Sequence, residues 1–304
     1  MRHRQLTQPA LALVVAVLVT ACSAGPKPAA QGQGHGGPAA AATTASTAAS
    51  TVASTVTAAP APTTTTGAAA TAATWVLGAR PLPLRPDGFG QVRPTPAALR
   101  DRRLPTVDRL PPPAGGFHAT IGPVTPATRA RMGTTWAPGC PVTLAQLRYL
   151  TVSFRGFDGR AHTGELVLNA RVATDVAGVF ARLYAARFPI EEMRLPTTAD
   201  LEARPTGDGD DTAAFVCRAA RKQTRWSAHA YGLAIDIDPF QNPYSRGDLV
   251  LPELASAYLD RSHPWPGIIR QGDVVTRAFA AIGWTWGGSW HSPVDRMHFS
   301  ATGN

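Results

Sequence analysis

At 304 residues with a formal net charge of +9, the chain is long enough for one substantial core and basic enough to attract a polyanion. Only Lys27 and Lys222 are lysines, and no internal period marks a repeat array. The apolar run Ala10 to Val19 is too short to span a bilayer as a mature helix, which excludes a permanent anchor of that kind there.

The first residues point to export. Met1-Arg2-His3-Arg4 is a short basic head, Ala10 to Val19 is the apolar stretch, and Val19-Thr20-Ala21-Cys22 leads small residues into a cysteine. This resembles a bacterial lipoprotein lipobox, which implies cleavage before Cys22 and lipid on its sulfur; the alternative is an ordinary secretory signal that happens to hold a Cys. The expected place is the outer face of the cell membrane, lipid-anchored. Removal of residues 1–21 takes Arg2 and Arg4 with it and leaves a charge of +7. Nucleic acid is not expected as a partner for an exterior protein, despite that charge.

Gly25 to Ala73 consists almost wholly of Ala, Thr, Pro, Gly, Ser and Gln. Without aromatic residues it buries too little apolar surface to offset its ordering entropy, so residues 22–74 read as a disordered tether. As a flexible coil, ~50 residues span roughly 40 Å. Composition permits O-glycosylation of this stretch. From 75 to about 113 the chain turns Arg- and Pro-rich, with Arg80, Arg85, Arg93, Arg100, Arg102, Arg103 and Arg109, and periodicity is weak. Residues 75–131 read as a stalk or N-terminal extension, either touching anionic polymer or simply carrying an Arg-heavy surface; the scarcity of lysine favours the second.

The globular part is expected to begin between Gly115 and Ala137 and is taken as 132–304. Arg148 to Phe154 and Gly164 to Asn169 alternate in β-rich fashion around Gly156-Phe157-Asp158-Gly159, which predicts a hairpin. A helix should follow, capped by Thr174, with Val176, Val179, Phe180, Leu183, Tyr184 and Phe188 on one face and Pro189 as its stop. A second helix is predicted near Val274 to Ala281, ended by Gly283. Strands and helices do not strictly alternate, so the class is α+β, a small antiparallel sheet with flanking helices. Cys140 and Cys217 remain once Cys22 is assigned to lipid. In an oxidising setting they read as a disulfide, the alternative being two buried thiols.

Two C-terminal segments carry the chemistry: Ser227-Ala228-His229-Ala230-Tyr231-Gly232-Leu233-Ala234-Ile235-Asp236 and Trp290-His291-Ser292-Pro293-Val294-Asp295-Arg296-Met297-His298-Phe299. They offer two imidazoles and a carboxylate, which suit one tetrahedral zinc with an open position for water, and a further carboxylate at Asp295. The odd spacing of His229 and Asp236 would send them to opposite faces of one strand, so Gly232 must bend the backbone between them. Read from spacing alone, the two histidines serve equally well as hydrogen-bonded core residues. Asp238 fits either a partner for a ligand histidine or a plain strand-end carboxylate. Trp284, Trp286 and Trp290 with Gly287-Gly288 either wall a peptide groove or fill the core. His118, His162 and His263 match no ligand role.

The pattern Ser-x-His-x-x-Gly-x-Ala-x-Asp followed by Trp-x-x-x-x-Asp-x-x-His-Phe resembles the VanY-like D-alanyl-D-alanine carboxypeptidases, a zinc metallopeptidase family that includes L-alanyl-D-glutamate endopeptidases. The resemblance runs from about Cys140 to Ser300 and takes in Gly156 to Gly159, Phe188-Pro189-Ile190, Phe215 to Arg218 and Asn242-Pro243-Tyr244. It implies a hedgehog-type zinc fold, zinc held by His229, Asp236 and His298, Asp295 as catalytic base, and Arg218 as the arginine that steadies substrate and oxyanion. Ser227 would bind a substrate carboxylate or orient a ligand. Met297, where phage members carry Pro, Ser300, where an acid is commoner, and His291 depart from the pattern without removing a ligand. The implied substrates are peptidoglycan stem peptides, with D,D-carboxypeptidase preferred over L-Ala-D-Glu endopeptidase. The competing expectation is a catalytically silent cell-wall-binding lipoprotein on the same fold, against which Asp295 speaks. No feature of the sequence sets an oligomeric state.

Overall fold

The computed structural model describes residues 75–220 and 223–303, so the expected signal peptide, Cys22 and the tether lie outside the described residues. In chain order the elements are β1 (Ala119–Pro123), α1 (Pro126–Met132), β2 (Leu147–Arg155), β3 (Ala161–Asn169), α2 (Ala173–Ala185) and α3 (Thr198–Glu202). There follow β4 (Ala234–Asp236), β5 (Tyr244–Arg246), β6 (Leu249–Leu251), α4 (Val274–Ala280), β7 (Thr285–Trp286), β8 (Val294–Asp295) and β9 (His298–Ser300). The strands form three antiparallel sheets in the orders β1-β2-β3, β4-β9-β7 and β6-β5-β8. The class is α+β, with several small sheets where the sequence suggested one.

The β2–β3 hairpin turns at the expected tetrad. Gly159 adopts φ +76, its N–H donates to the Gly156 carbonyl, and the Asp158 carboxylate accepts from the Arg160 N–H at 2.8 Å. Alternation then sends Leu150, Val152 and Phe154 into the main core, where they meet Val176, Val179, Phe180 and Leu183 of α2. Each such side chain contributes about 1.5–3 kcal/mol on burial, far more than intrinsic helix preference supplies to a 13-residue helix.

Both ends of α2 differ from expectation. Val172 occupies the N-cap without a side-chain bond, and Thr174 sits inside the first turn. Burial of Val172 and Ala173 in the core sets the start instead of a cap. At the other end the helix stops before Pro189. Arg187 turns left-handed at φ 57, while its N–H and that of Phe188 donate to the carbonyls of Tyr184 and Leu183. The second predicted helix is α4, whose N-cap Asp273 accepts from the Thr276 N–H at 2.9 Å.

Residues 75–131 do not stand apart as a stalk, and 132 is no packing boundary. Leu82, Leu99 and Leu104 share a core with Phe240, Leu254, Tyr258 and Ile268. Arg102, read as surface, is wholly buried and makes a two-pronged bond to Glu191 at 2.7 and 2.5 Å. β1 adds a strand to the hairpin through Ile121 opposite Leu150. The segment anchors by isolated residues on an extended, Pro-rich chain, which leaves no amphipathic period to read.

Cys140 and Cys217 are joined, with Cα atoms 5.8 Å apart and a sequence separation of 77. The bridge ties the loop after α1 to the strand-like stretch leading into the site. Closing a loop of this length contributes about 4 kcal/mol in the chain-entropy view. A Cys140→Ser/Cys217→Ser protein is therefore expected to melt lower by roughly 10 °C. Thermal scans of both proteins, with reductant added to the parent, measure this; equal melting points would assign the bridge no stabilising role.

Candidate metal centre

Local backbone chemistry explains why His229 and Asp236 face one another. Residues Ala228–Tyr231 form a single tight turn, and the Ser227 hydroxyl caps it by accepting the His229 N–H at 3.3 Å. Gly232 ends the turn at φ 65, where a Cβ would stand 2.6 Å from the Asn169 nitrogen. Only glycine satisfies both demands. The chain then enters β4, whose Ile235 points into the main core together with Leu233 and Ile237, leaving Asp236 on the opposite face. β9 pairs with β4 so that His298 lies directly across from Asp236, and Phe299 fills the core beside Ile235. One sheet thus buries its apolar face and presents two ligating groups on the other.

Three donor atoms converge there. His229 Nε2 lies 3.2 Å from His298 Nδ1 and 3.4 Å from Asp236 Oδ1, and His298 Nδ1 lies 3.0 Å from Asp236 Oδ1. His229 Nδ1 is 2.6 Å from the Ala214 carbonyl, which can only accept, so Nδ1 carries a proton and Nε2 is the ring atom that faces inward. Both imidazoles are buried. Burial drives the Asp236 carboxyl upward, but His229 and His298 beside it outweigh that and hold it well below the usual carboxylate range. Two ring nitrogens and a carboxylate oxygen meeting in one place suit a cation better than they suit one another.

Asp295, Arg218 and Ser227 line the same cavity as these three groups, a space of ≈ 430 Å³. Asp295 reaches it from β8, which runs into β9 through Arg296 and Met297. Gly287 packs against it so closely that a Cβ would come within 2.6 Å of the Asp295 carbonyl oxygen. Arg218 follows the disulfide, and its carbonyl accepts the Ser227 N–H at 3.1 Å, which draws the two residues together. The three tryptophans divide: Trp284 is buried in the core and Trp286 packs on it, while Trp290 lines the cavity with its ring 5.6 Å from that of His298.

Asp238 is not a partner of His229 or His298. It is fully buried, and its Oδ1 accepts the Glu191 N–H at 3.1 Å. His118 and His263 are exposed, and His162 is buried between Asp108 and Asp158 at 2.8 and 3.1 Å. Ser300 is buried between β4 and β7, where a small side chain fits. Among the cavity-wall residues to which sequence reasoning gave no site role are Arg225, Tyr244 and Arg246. The alternation of Tyr244 and Arg246 before the Gly247-Asp248 turn is the signal that could have placed the last two on one strand face.

No curated protein and no solved structure matches the chain. Residues 220–301, which supply all three converging donors and Asp295, match the family model described as D-alanyl-D-alanine carboxypeptidase.

Proposed function

We propose that this protein is a zinc-dependent peptidase that hydrolyses an amide bond of peptidoglycan stem peptides. D,D-carboxypeptidase action is preferred over L-Ala-D-Glu endopeptidase action. The observation that carries the reading is the triangle of His229, Asp236 and His298, with sides of 3.0 to 3.4 Å. Ligand atoms at ~2.05 Å from a tetrahedral zinc stand about 3.3 Å apart, so the donor set fits that ion in type and spacing. The description of the matched family supports the carboxypeptidase preference. The small antiparallel sheets with flanking helices are compatible with a hedgehog-type fold. The lipobox-like run ending in Cys22 supports anchoring at the outer face of the membrane.

Zinc held by His229, Asp236 and His298 would supply a Lewis acid and a water acidic enough to lose its proton near neutral pH. The chain's own residues do the rest. His229 is held in one tautomer by Ala214, so its donor atom is set before any ion arrives. A carboxylate oxygen of Asp295 takes the proton of the attacking water and returns it to the departing amine. The Arg218 guanidinium offers fixed positive charge to the oxygen that becomes negative. Ser227 caps the His229 turn with its hydroxyl and lines the cavity that receives the peptide.

Digestion of purified peptidoglycan, read by mass spectrometry with chelator and with zinc restored, tests this. Chelator-sensitive loss of terminal D-Ala is expected. Freed stem peptides would reassign the bond to the endopeptidase type. Absence of any product from folded, zinc-loaded protein would favour the silent wall-binding lipoprotein.

A further inference from the structure

Resting on the peptidase reading, we propose that the cavity takes an extended, anionic peptide that runs past Tyr244 into a second cavity, and that Arg246 holds a substrate carboxylate at the junction. The argument begins with strand register. β5 pairs with β8 so that Tyr244 stands directly opposite Asp295, and opposite residues share a sheet face. Arg246 lies two residues further along β5 and so falls on that face too, about 7 Å beyond Tyr244. Tyr244, Arg246 and Asp295 all line the first cavity, as this register requires.

Tyr244 and Arg246 also line a second cavity of ≈ 370 Å³, whose other walls include Arg85, Phe89 and Asp248. The two cavities adjoin at Tyr244 and Arg246, the wall residues they share. Arg85 and Phe89 belong to the N-terminal segment and lie outside the matched residues 220–301, so one wall of the second cavity comes from a part of the chain outside that match.

Charge decides what the two cavities would hold. Arg85 is engaged by Asp87 at 3.2 Å and by Asp248 at 3.0 Å, so this cation is already held by two carboxylates of the protein. Arg246 is exposed, and among the described residues it makes no ion pair. An exposed arginine beside a hairpin turn commonly serves solubility alone. Arg246 differs in standing on the wall of both cavities, on the face that carries Asp295. Its planar fork suits a carboxylate bound by two parallel hydrogen bonds. At ~3.3–3.6 Å per extended residue, the distance along β5 corresponds to a carboxylate about two residues from the bond being cut.

The test uses a stem pentapeptide with its D-Glu α-carboxylate free and the same peptide with that group amidated. Binding of each to the whole protein is measured by calorimetry without added metal, for wild type, Arg246→Ala and Arg246→Lys. Wild type should bind the free acid at least about tenfold more tightly, as expected of one charge-assisted pair. Arg246→Ala should lose that preference and Arg246→Lys should keep part of it. Equal binding of the two peptides by wild type, or an undiminished preference in Arg246→Ala, would overturn the proposal. Turnover of the free-acid peptide by zinc-loaded wild type is followed in parallel. A binding preference that depends on Arg246 without any turnover supports this site while counting against the peptidase.

Discussion

Substitution of His229 by alanine is expected to remove zinc and hydrolysis together, whereas Asp295→Ala keeps zinc and loses turnover by roughly 10²–10⁴-fold. The contrast follows from placement. His229 Nε2 is one corner of the donor triangle, 3.2 Å from His298 Nδ1 and 3.4 Å from Asp236 Oδ1. Its loss leaves two donors, and the half-buried Asp236 carboxylate then stands beside only one imidazole. Asp295 lines the cavity from a different sheet and stands outside the triangle. The same protein preparations settle both halves, through bound zinc by elemental analysis and release of D-Ala from a stem peptide. Full metal retention in His229→Ala would take that residue out of the ligand set. Unchanged turnover in Asp295→Ala would end its assignment as the base.

Loss of Arg102 is expected to destabilise the fold by about 3–5 kcal/mol, the usual consequence of removing one partner from a buried pair. The side chain is wholly buried. Its Nε and one Nη donate to Glu191, the other Nη donates to the Asp208 carbonyl at 2.8 Å, and Asp210 lies 3.7 Å away. The guanidinium also stacks 4.4 Å over the Phe240 ring, so truncation removes packing as well as charge. Arg102→Ala leaves Glu191 and Asp210 buried without their cation.

Thermal unfolding should show a midpoint lower by roughly 6–20 °C, at 2–4 °C per kcal/mol for a domain of this size. The loss should also depend on pH. Burial and then Glu191 already raise the Asp210 carboxyl well above its usual range, and Arg102 is the group that opposes them. A carboxyl whose folded pKa exceeds its unfolded one holds an extra proton when folded. Stability is then lost as pH rises from the unfolded value toward the folded one. Without Arg102 that gap widens, so the deficit should grow from pH 5 to pH 8. A shift of only a degree or two, equal at both pH values, would show that the cluster contributes little.

Arg102 also explains how residues 75–131 become part of the domain. The segment brings a cation into a pocket of acids and three leucines into a separate core, and in the same stroke sets Arg85 and Phe89 beside β5. A chain shortened to begin after 113 would lose these anchors and one wall of the second cavity. Digestion and binding experiments therefore call for the protein with this segment in place.

Several parts of this protein could be read from sequence because their causes are local. The β2–β3 hairpin follows from alternation around a Gly-Phe-Asp-Gly turn, and the buried stripe of α2 from a 3.6-residue period. His229, Gly232 and Asp236 form a short motif in which the glycine's bend is the condition for the two side chains to meet. His298 joins them through β-pairing, which its place before a core phenylalanine foreshadows. The cysteine pair follows from counting in an oxidising compartment.

Tertiary structure decided the rest, and in each case the cause is a contact between residues distant in sequence. Burial of Val172 starts α2 where Thr174 looked like the cap, and a left-handed Arg187 ends it ahead of Pro189. Trp290 reaches the cavity while Trp284 enters the core, although their spacing treats them alike. Arg102 and Arg246 are the same residue type, yet one is sealed among acids and the other lies open between two cavities. Charge and hydropathy are properties of a residue, but burial belongs to the pair of surfaces that meet. An extended, Pro-rich segment carries no periodicity to announce where it will dock.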